Sequence, residues 1–226
     1  MAGTAAQDGR GPRAGATTTD RETQSGYWRW ERADPPPDHR YLVPAVLKAL
    51  GDARSRTLLD VGCGNGALSA RLADAGFAVT GIDFEPSGVD LARRAHPGLS
   101  FAVHDVGDPL PVEMAGFFDV VVATEIVEHL FRPRVLFARA REALGPQGEI
   151  VVSTPYHGYA KNLALALSGK FDDHWGPCTD YGHVKFFSRR TLGALAAECG
   201  FEPTGCVLAG RVPALAATMV MRARIR

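Results

Sequence analysis

Apolar residues recur along this chain with two alternating periods. From Thr57 onward, short β-rich runs near 57–61, 78–82, 99–103, 118–123 and 149–153 alternate with helical patterns near 66–75, 86–95 and 132–144. Such alternation predicts right-handed βαβ crossovers and a largely parallel sheet covered on both faces. A ligand is then expected at the carboxyl ends of the strands. The chain closes with a helix near 189–199 and two strands near 203–209 and 216–224.

The pattern fails at both flanks of this core. Residues 1–25, rich in Ala, Gly, Thr and Arg, hold almost no large apolar side chain to offset ordering entropy, and are read as a disordered tail. Tyr27, Trp28 and Trp30 then precede a Pro35-Pro36-Pro37 break and a helical pattern through Leu42, Val46, Leu47 and Leu50. Residues 26–226 are expected to form a single domain. Within it, 156–187 interrupts the alternation with Tyr156, His157, Tyr159, Lys161, His174, Trp175, Tyr181, His183 and Lys185, a content too rich in chemistry for a plain connector. This stretch is expected to be a lid over a substrate.

Composition narrows the function classes. The 226 residues are 46% hydrophobic and 22% charged, ordinary for a globular protein. Twenty-five basic residues balance twenty-five acidic ones, so net charge calls for neither a nucleic-acid nor a membrane partner. No apolar run reaches the length of a membrane span and no signal peptide opens the chain, which places it in the cytoplasm. Cys63, Cys178, Cys199 and Cys206 form no C-x-x-C pair and are expected to be free thiols. No long heptad pattern indicates an oligomeric state.

The first chemical signal is Leu58-Leu59-Asp60-Val61-Gly62-Cys63-Gly64-Asn65-Gly66, a strand entering a glycine loop at the start of a helix. Glycines there allow unusual backbone angles and close approach of a nucleotide-like ligand to the helix N-terminus. Gly62, Gly64 and Ala67 also satisfy the dinucleotide pattern, which keeps an NAD-dependent oxidoreductase open. Asp60 tilts the choice, because an acidic group suits a cationic ligand better than a pyrophosphate.

The second signal is Glu125-Ile126-Val127-Glu128-His129. At about 100° per residue, a helix here would place Glu125, Glu128 and His129 on one side, and Ile126, Val127, Leu130 and Phe131 on the other. One face could hold a cation; a capped helix start with a satisfied histidine accounts for the same residues.

The glycine segment resembles motif I of class I S-adenosylmethionine (SAM) dependent methyltransferases, and the resemblance extends over about 40–226. It implies a Rossmann-like, doubly wound α/β fold: seven strands, mostly parallel, with an antiparallel last strand and helices on both faces. It implies SAM over Gly62, Gly64 and Gly66, with Asp60 nearby. It places Asp83 on the ribose hydroxyls, with Glu85 a weaker candidate, and Asp105 on the adenine amino group; carboxylates accept hydrogen bonds from both. Asp119 is read as structural. The N-terminal aromatic segment of Tyr27, Trp28 and Trp30, with His39-Arg40-Tyr41, could cap the cofactor or pair with its carboxylate, Arg40 suiting the latter. Trp28 and Trp175 could wall an apolar acceptor pocket.

Glu125-x-x-Glu128-His129 resembles a narrower group, the ubiquinone-pathway O-methyltransferases and the small-RNA 2′-O-methyltransferases, which carry E-x-x-E-H and a later histidine. Gly182-His183-Val184-Lys185-Phe186 resembles the segment holding that histidine. The implied metal ligands are Glu125, Glu128, His129 and His183, for Mg²⁺, Mn²⁺ or Zn²⁺, with Glu125 also facing the cofactor. Metal would assist O-methylation by lowering the pKa of an acceptor hydroxyl. The expected acceptor is a small hydroxylated metabolite, a phenol, catechol or sugar-like polyol; the neutral charge balance disfavours RNA. Without metal, His129 or His183 could serve as general base in an N- or C-methyltransferase. His157, His174 and Lys161 are second-tier candidates for recognising the acceptor.

Overall fold

The computed structural model describes residues 29–175, 178–210 and 216–226, so the expected tail, Tyr27 and Trp28 lie outside the described residues. Strands β1 (Thr57–Val61), β2 (Ala78–Asp83), β3 (Ser100–Val103), β4 (Phe118–Thr124), β5 (Leu144–Pro155), β6 (Phe201–Ala209) and β7 (Thr218–Ile225) form one sheet in the order β3-β2-β1-β4-β5-β7-β6. All neighbours from β3 to β5 pair parallel, while β7 runs antiparallel between β5 and β6. The Rossmann-like expectation, with its antiparallel last strand, is met.

The sheet is covered on both faces because alternate side chains of the central strands leave on opposite sides. Val120 and Val122 of β4 join Leu58 and Val151 beneath α1 (His39–Leu50) and α2 (Ala67–Asp74). Val121 and Ala123 join Leu59, Val61 and Val152 beneath α4 (Arg134–Ala143) and α7 (Arg189–Glu198), while α3 (Pro86–Ala95) packs Val89 and Ala92 on Phe101. The helix expected from Leu42 onward does lie across the sheet, burying Leu42, Val43, Val46 and Leu50. Asp119 is structural: its Oδ2 accepts from both the N–H and the hydroxyl of Thr57, at 2.9 Å each, tying β4 to β1.

Two local expectations change. The motif at 125–131 is not an α-helix but a single 3₁₀ turn, Val127–His129. Glu125 enters it at φ 54°, Leu130 leaves it extended, and Pro133 follows, which disfavours helical backbone just before it. Residues 156–187 carry two short helices, α5 (Tyr159–Leu167) and α6 (Phe171–Trp175), and return to the sheet through a bridge between Tyr156 and Phe187. All four cysteines are free, and no helix among the described residues is long and apolar enough to cross a membrane.

Candidate functional site

Strand order reverses between β1 and β4: β2 and β3 lie on one side, β5 on the other. At such a switch point the connections leave in opposite directions and open a crevice at the carboxyl ends of the strands. A cavity of about 420 Å³ occupies this place, lined by Gly62, Cys63 and Asn65 from the loop after β1, Asp83 and Phe84 after β2, and His104, Asp105 and Val106 after β3. Thr124, Glu125, Ile126 and His129 close it after β4, and Trp30, Asp38 and His39 from the N-terminal side.

The glycine loop needs its glycines. Gly62, Gly64 and Gly66 have φ of 74°, 51° and 77°, a region side chains avoid. A Cβ on Gly64 would lie 2.4 Å from the Trp30 ring, and one on Gly66 2.8 Å from Ala92 Cβ. Trp30 therefore lies directly against the loop, with its own N–H donating to Ser87 Oγ at 2.9 Å. Asn65 fastens the same strap through Nδ2, which donates to the carbonyls of Arg32 and Asp34 at 3.0 Å.

Asp83 joins the two loops. Its Oδ2 accepts from Gly64 N–H and its Oδ1 from Glu85 N–H, each at 2.8 Å, so the backbone fixes the carboxylate at the cavity wall. Burial raises its pKa while those two bonds oppose the rise. Asp105 lines the wall next to it, Oδ1 accepting from Gly107 N–H at 2.7 Å. Glu85, the weaker ribose candidate, is buried and caps α3 through Ser87 N–H. The lining holds four carboxylates, Asp38, Asp83, Asp105 and Glu125, and no lysine or arginine among the described residues. That charge distribution accommodates a sulfonium cation and opposes a pyrophosphate.

Two expected cofactor residues sit elsewhere. Arg40 is exposed and off the cavity wall; its Nε donates to the Pro37 carbonyl at 3.2 Å. The phase of α1 explains this, since the buried stripe turns Arg40 outward. Asp60 is fully buried beneath the loop, where Oδ2 accepts from Ser69 Oγ at 2.6 Å, and burial pushes its carboxyl up to about 7. It ties β1 to α2 without reaching the cavity. Conversely, Asn65 and His104 belong to the wall without a role read for them in the sequence, while Trp30 and His39, from the segment expected to cap the cofactor, line it as well.

A second cluster adjoins the cavity through His129. Donor atoms of Glu128, His129 and His183 all lie within 4.8 Å of one another, bringing the motif to the histidine fifty-four residues later. The 182–186 segment is docked by its backbone, Val184 and Lys185 N–H donating to the Glu128 carbonyl at 2.9 and 3.0 Å. His129 Nδ1 lies 3.2 Å from the Tyr181 carbonyl and 3.3 Å from that of Gly182. Carbonyls only accept, so Nδ1 carries the proton and Nε2 presents a lone pair. Burial lowers the pKa of both imidazoles, with each other's charge adding to it at His183.

Glu128 is wholly buried, and among the described residues neither carboxylate oxygen makes a close hydrogen bond, the Thr154 hydroxyl and the Glu125 carboxyl being its polar neighbours. Burial and the neighbouring Glu125 raise its pKa well above the carboxylate range. An orphaned buried carboxylate costs several kcal/mol, and a divalent cation would remove that cost. The donor set, one carboxylate with two neutral imidazoles, fits such an ion. Glu125 adjoins Glu128 but is not among these three grouped donors. Its Oε1 accepts from the hydroxyls of Ser153 and Thr218, at 2.7 Å each, and its N–H donates to Ser153 at β5. Those bonds hold a non-glycine residue at positive φ, a strained conformation typical of functional positions.

His157, His174 and Lys161, the second-tier residues, gather beyond His183 with Trp175 and Phe186. Trp175 stacks on Phe171 and lies 4.0 Å from Phe186, in this aromatic group rather than on the cavity wall.

Comparison with known proteins agrees with this geometry. Residues 27–204 match the family described as "Methyltransferase domain". The ubiquinone biosynthesis O-methyltransferase of Bordetella avium is 31% identical over 165 residues, 71% of this chain and 68% of that protein. The Caulobacter vibrioides protein of the same description is 35% identical over 145 residues, 62% of this chain and 57% of its own length. In fold, the chain is similar to magnesium protoporphyrin IX methyltransferase from Synechocystis PCC 6803 with bound SAH, at TM-score 0.63 and 17% identity, covering 92% of this chain and 94% of that one. A glycine loop at the switch point, a carboxylate-lined crevice with no lysine or arginine among the described residues and a family match over most of its length make this chain a member of the class I SAM-dependent methyltransferases.

Proposed function

We propose that the protein methylates a hydroxyl of a small metabolite, a phenol, catechol or sugar-like polyol, with assistance from a divalent metal. The observation that carries this is Glu128: two buried carboxylate oxygens with no close hydrogen bond among the described residues, grouped with His129 and His183. Relatives named as ubiquinone biosynthesis O-methyltransferases support the choice of oxygen as acceptor atom.

In this reading, Asp83 accepts from the ribose hydroxyls of SAM and Asp105 from the adenine amino group, while Trp30 and Asn65 keep the N-terminal strap closed over the loop. Glu125, anchored by Ser153 and Thr218, stands at the boundary between the cofactor cavity and the Glu128 cluster. Glu128, His129 and His183 would hold the metal, and a metal there supplies Lewis acidity that makes an acceptor hydroxyl easier to ionise. The chain aligns this oxygen for in-line attack on the sulfonium methyl. The 156–187 segment acts as a lid that excludes water from the transfer.

Metal analysis by mass spectrometry tests the reading, on wild-type protein beside Glu128→Ala and His183→Ala after equilibration with Mg²⁺, Mn²⁺ and Zn²⁺. Near-stoichiometric metal in wild type, lost in both variants, is expected. No metal in wild type overturns metal assistance and favours a second reading that rests on the His129 tautomer. There the Nε2 lone pair serves as general base in a metal-independent N- or C-methyl transfer.

A further inference from the structure

Lys161 is the charged group that neither the cofactor cavity nor the Glu128 cluster uses. It is 8% exposed, and among the described residues its side chain forms no ion pair and no hydrogen bond. It sits in the first turn of α5, a turn with no acidic residue, where the helix dipole itself disfavours a cation. A lysine so buried normally has a partner.

The surroundings identify what is missing. Lys161 follows His157 by four residues, and its charge acts on His157 and His174 while Glu125 acts on it in turn, so the ammonium is within electrostatic reach of all three. His157 is 9% exposed, with Nδ1 buried and unpartnered, and its ring lies 5.3 Å from Trp175, whose Nε1 is likewise buried and unpartnered. An ammonium and an indole N–H can only donate, and a neutral imidazole can turn a donor toward the same space. These donors, one of them charged, outnumber the one unpartnered acceptor beside them, Asn162 Oδ1, and call for an anionic oxygen ligand. The site adjoins the proposed metal centre, because His174 acts electrostatically on His183, which packs on His129 at 4.9 Å.

We propose that Lys161, with His157, His174 and the Trp175 N–H, forms an oxyanion seat beside the Glu128 cluster, and that the methyl acceptor is a small hydroxylated compound bearing a carboxylate or phosphate. This deepens the O-methylation reading and rests on it for the identity of the reacting group. Phe186, 4.0 Å from Trp175 and 5.1 Å from His157, gives the seat an apolar wall against the acceptor's ring or chain.

Equilibrium binding decides it without turnover. Protein saturated with S-adenosylhomocysteine is titrated with 3,4-dihydroxybenzoate and its neutral amide, 3,4-dihydroxybenzamide, then with ribose 5-phosphate and ribose. Wild type is expected to prefer the anionic member of at least one pair by tenfold or so, and the preferred pair distinguishes a carboxylate from a phosphate. In Lys161→Met the ratio should fall to within about twofold, while Lys161→Arg keeps most of it. S-adenosylhomocysteine affinity reports whether each variant is folded, and His157→Gln replaces Lys161→Met should that variant lose it. No preference in wild type for either pair, or a preference unchanged in the variant, overturns the seat. Preference without methyl transfer to any hydroxyl would instead fail the O-methylation reading alone.

Discussion

The cofactor side and the acceptor side of this site are built differently. On the cofactor side the backbone places the chemistry: both Asp83 oxygens, Asp105 Oδ1 and the Asn65 amide are held by main-chain groups close in the fold. On the acceptor side side chains meet from segments far apart, and several polar atoms are left over: both oxygens of Glu128, His157 Nδ1, Asn162 Oδ1 and Trp175 Nε1. Unpartnered atoms on the cofactor side include His39 Nδ1 and His104 Nε2, on residues that line the cavity, and Asp60 Oδ1 beneath the loop. A region whose cavity carboxylates are fixed by the backbone is preorganised for a ligand common to a whole family. A region with unmet donors and acceptors is shaped for a particular ligand and is less stable without it.

Asp60 is the residue that could break this contrast, since it is a buried acid with one unpartnered oxygen on the side where the backbone fixes the carboxylates. Its folded carboxyl titrates near 7 against an ordinary 3.8, so the folded state binds the extra proton between those values. An acid raised on folding stabilises the fold below its unfolded pKa, and stability falls as pH rises through the folded one. Across about pH 4 to 7 this carboxyl should cost up to about 4 kcal/mol, the largest effect expected here. Thermal melts should show stability declining with pH over that window, with Asp60→Asn flattening part of the decline. Glu128, raised in the same direction, should contribute a further part that Glu128→Gln removes. Saturating divalent cation should cancel the Glu128 part and leave the Asp60 part. A slope untouched by Asp60→Asn would show that strain belongs to the acceptor side alone.

Asp83→Ala comes next. It removes two charge-assisted bonds that hold the glycine loop as well as a cavity carboxylate, so S-adenosylhomocysteine affinity measured by calorimetry should fall by roughly a hundredfold. Metal binding should be retained, because the two sides share no bond through Asp83. Parallel loss of both would merge them into one cooperative unit. Trp30→Ala leaves the loop intact but uncovers Gly64, and about a tenfold loss of affinity is expected, with the melting temperature little changed.

How much of this was legible in the sequence follows the same division. The glycine loop and Asp83 could be read because positive φ demands glycine and because a strand end fixes where an acid points. The alternation of strands and helices was visible, though β5 runs from Leu144 rather than 149, its early residues, Gly145-Pro146-Gln147-Gly148, resembling a turn. Arg40 was misplaced because residue type does not reveal helix phase at an element's first turn. The 3₁₀ turn at Val127–His129 escaped because its cause, the Glu125 conformation, depends on Ser153 and Thr218, contacts 28 and 93 residues away. The burial of Lys161 and the aromatic group around it depend on packing between α5, α6 and the 182–186 segment, which no local pattern encodes.

Ser153→Ala offers the smallest and most discriminating test, because Ser153 stands on the boundary itself. Its hydroxyl donates to Glu125 Oε1 at 2.7 Å and accepts from the Glu125 N–H at 3.1 Å, while Thr218 holds the same oxygen from β7. Losing one of two hydroxyl donors to a carboxylate costs about 1 kcal/mol, since Thr218 and the Ser153 carbonyl remain. Steady-state kinetics should then show kcat reduced about fivefold with little change in the KM for SAM, because Glu125 is loosened toward the acceptor rather than the cofactor. A rise in that KM at constant kcat would assign Glu125 to cofactor binding, and move the boundary between the two sides to the Glu128 carboxylate.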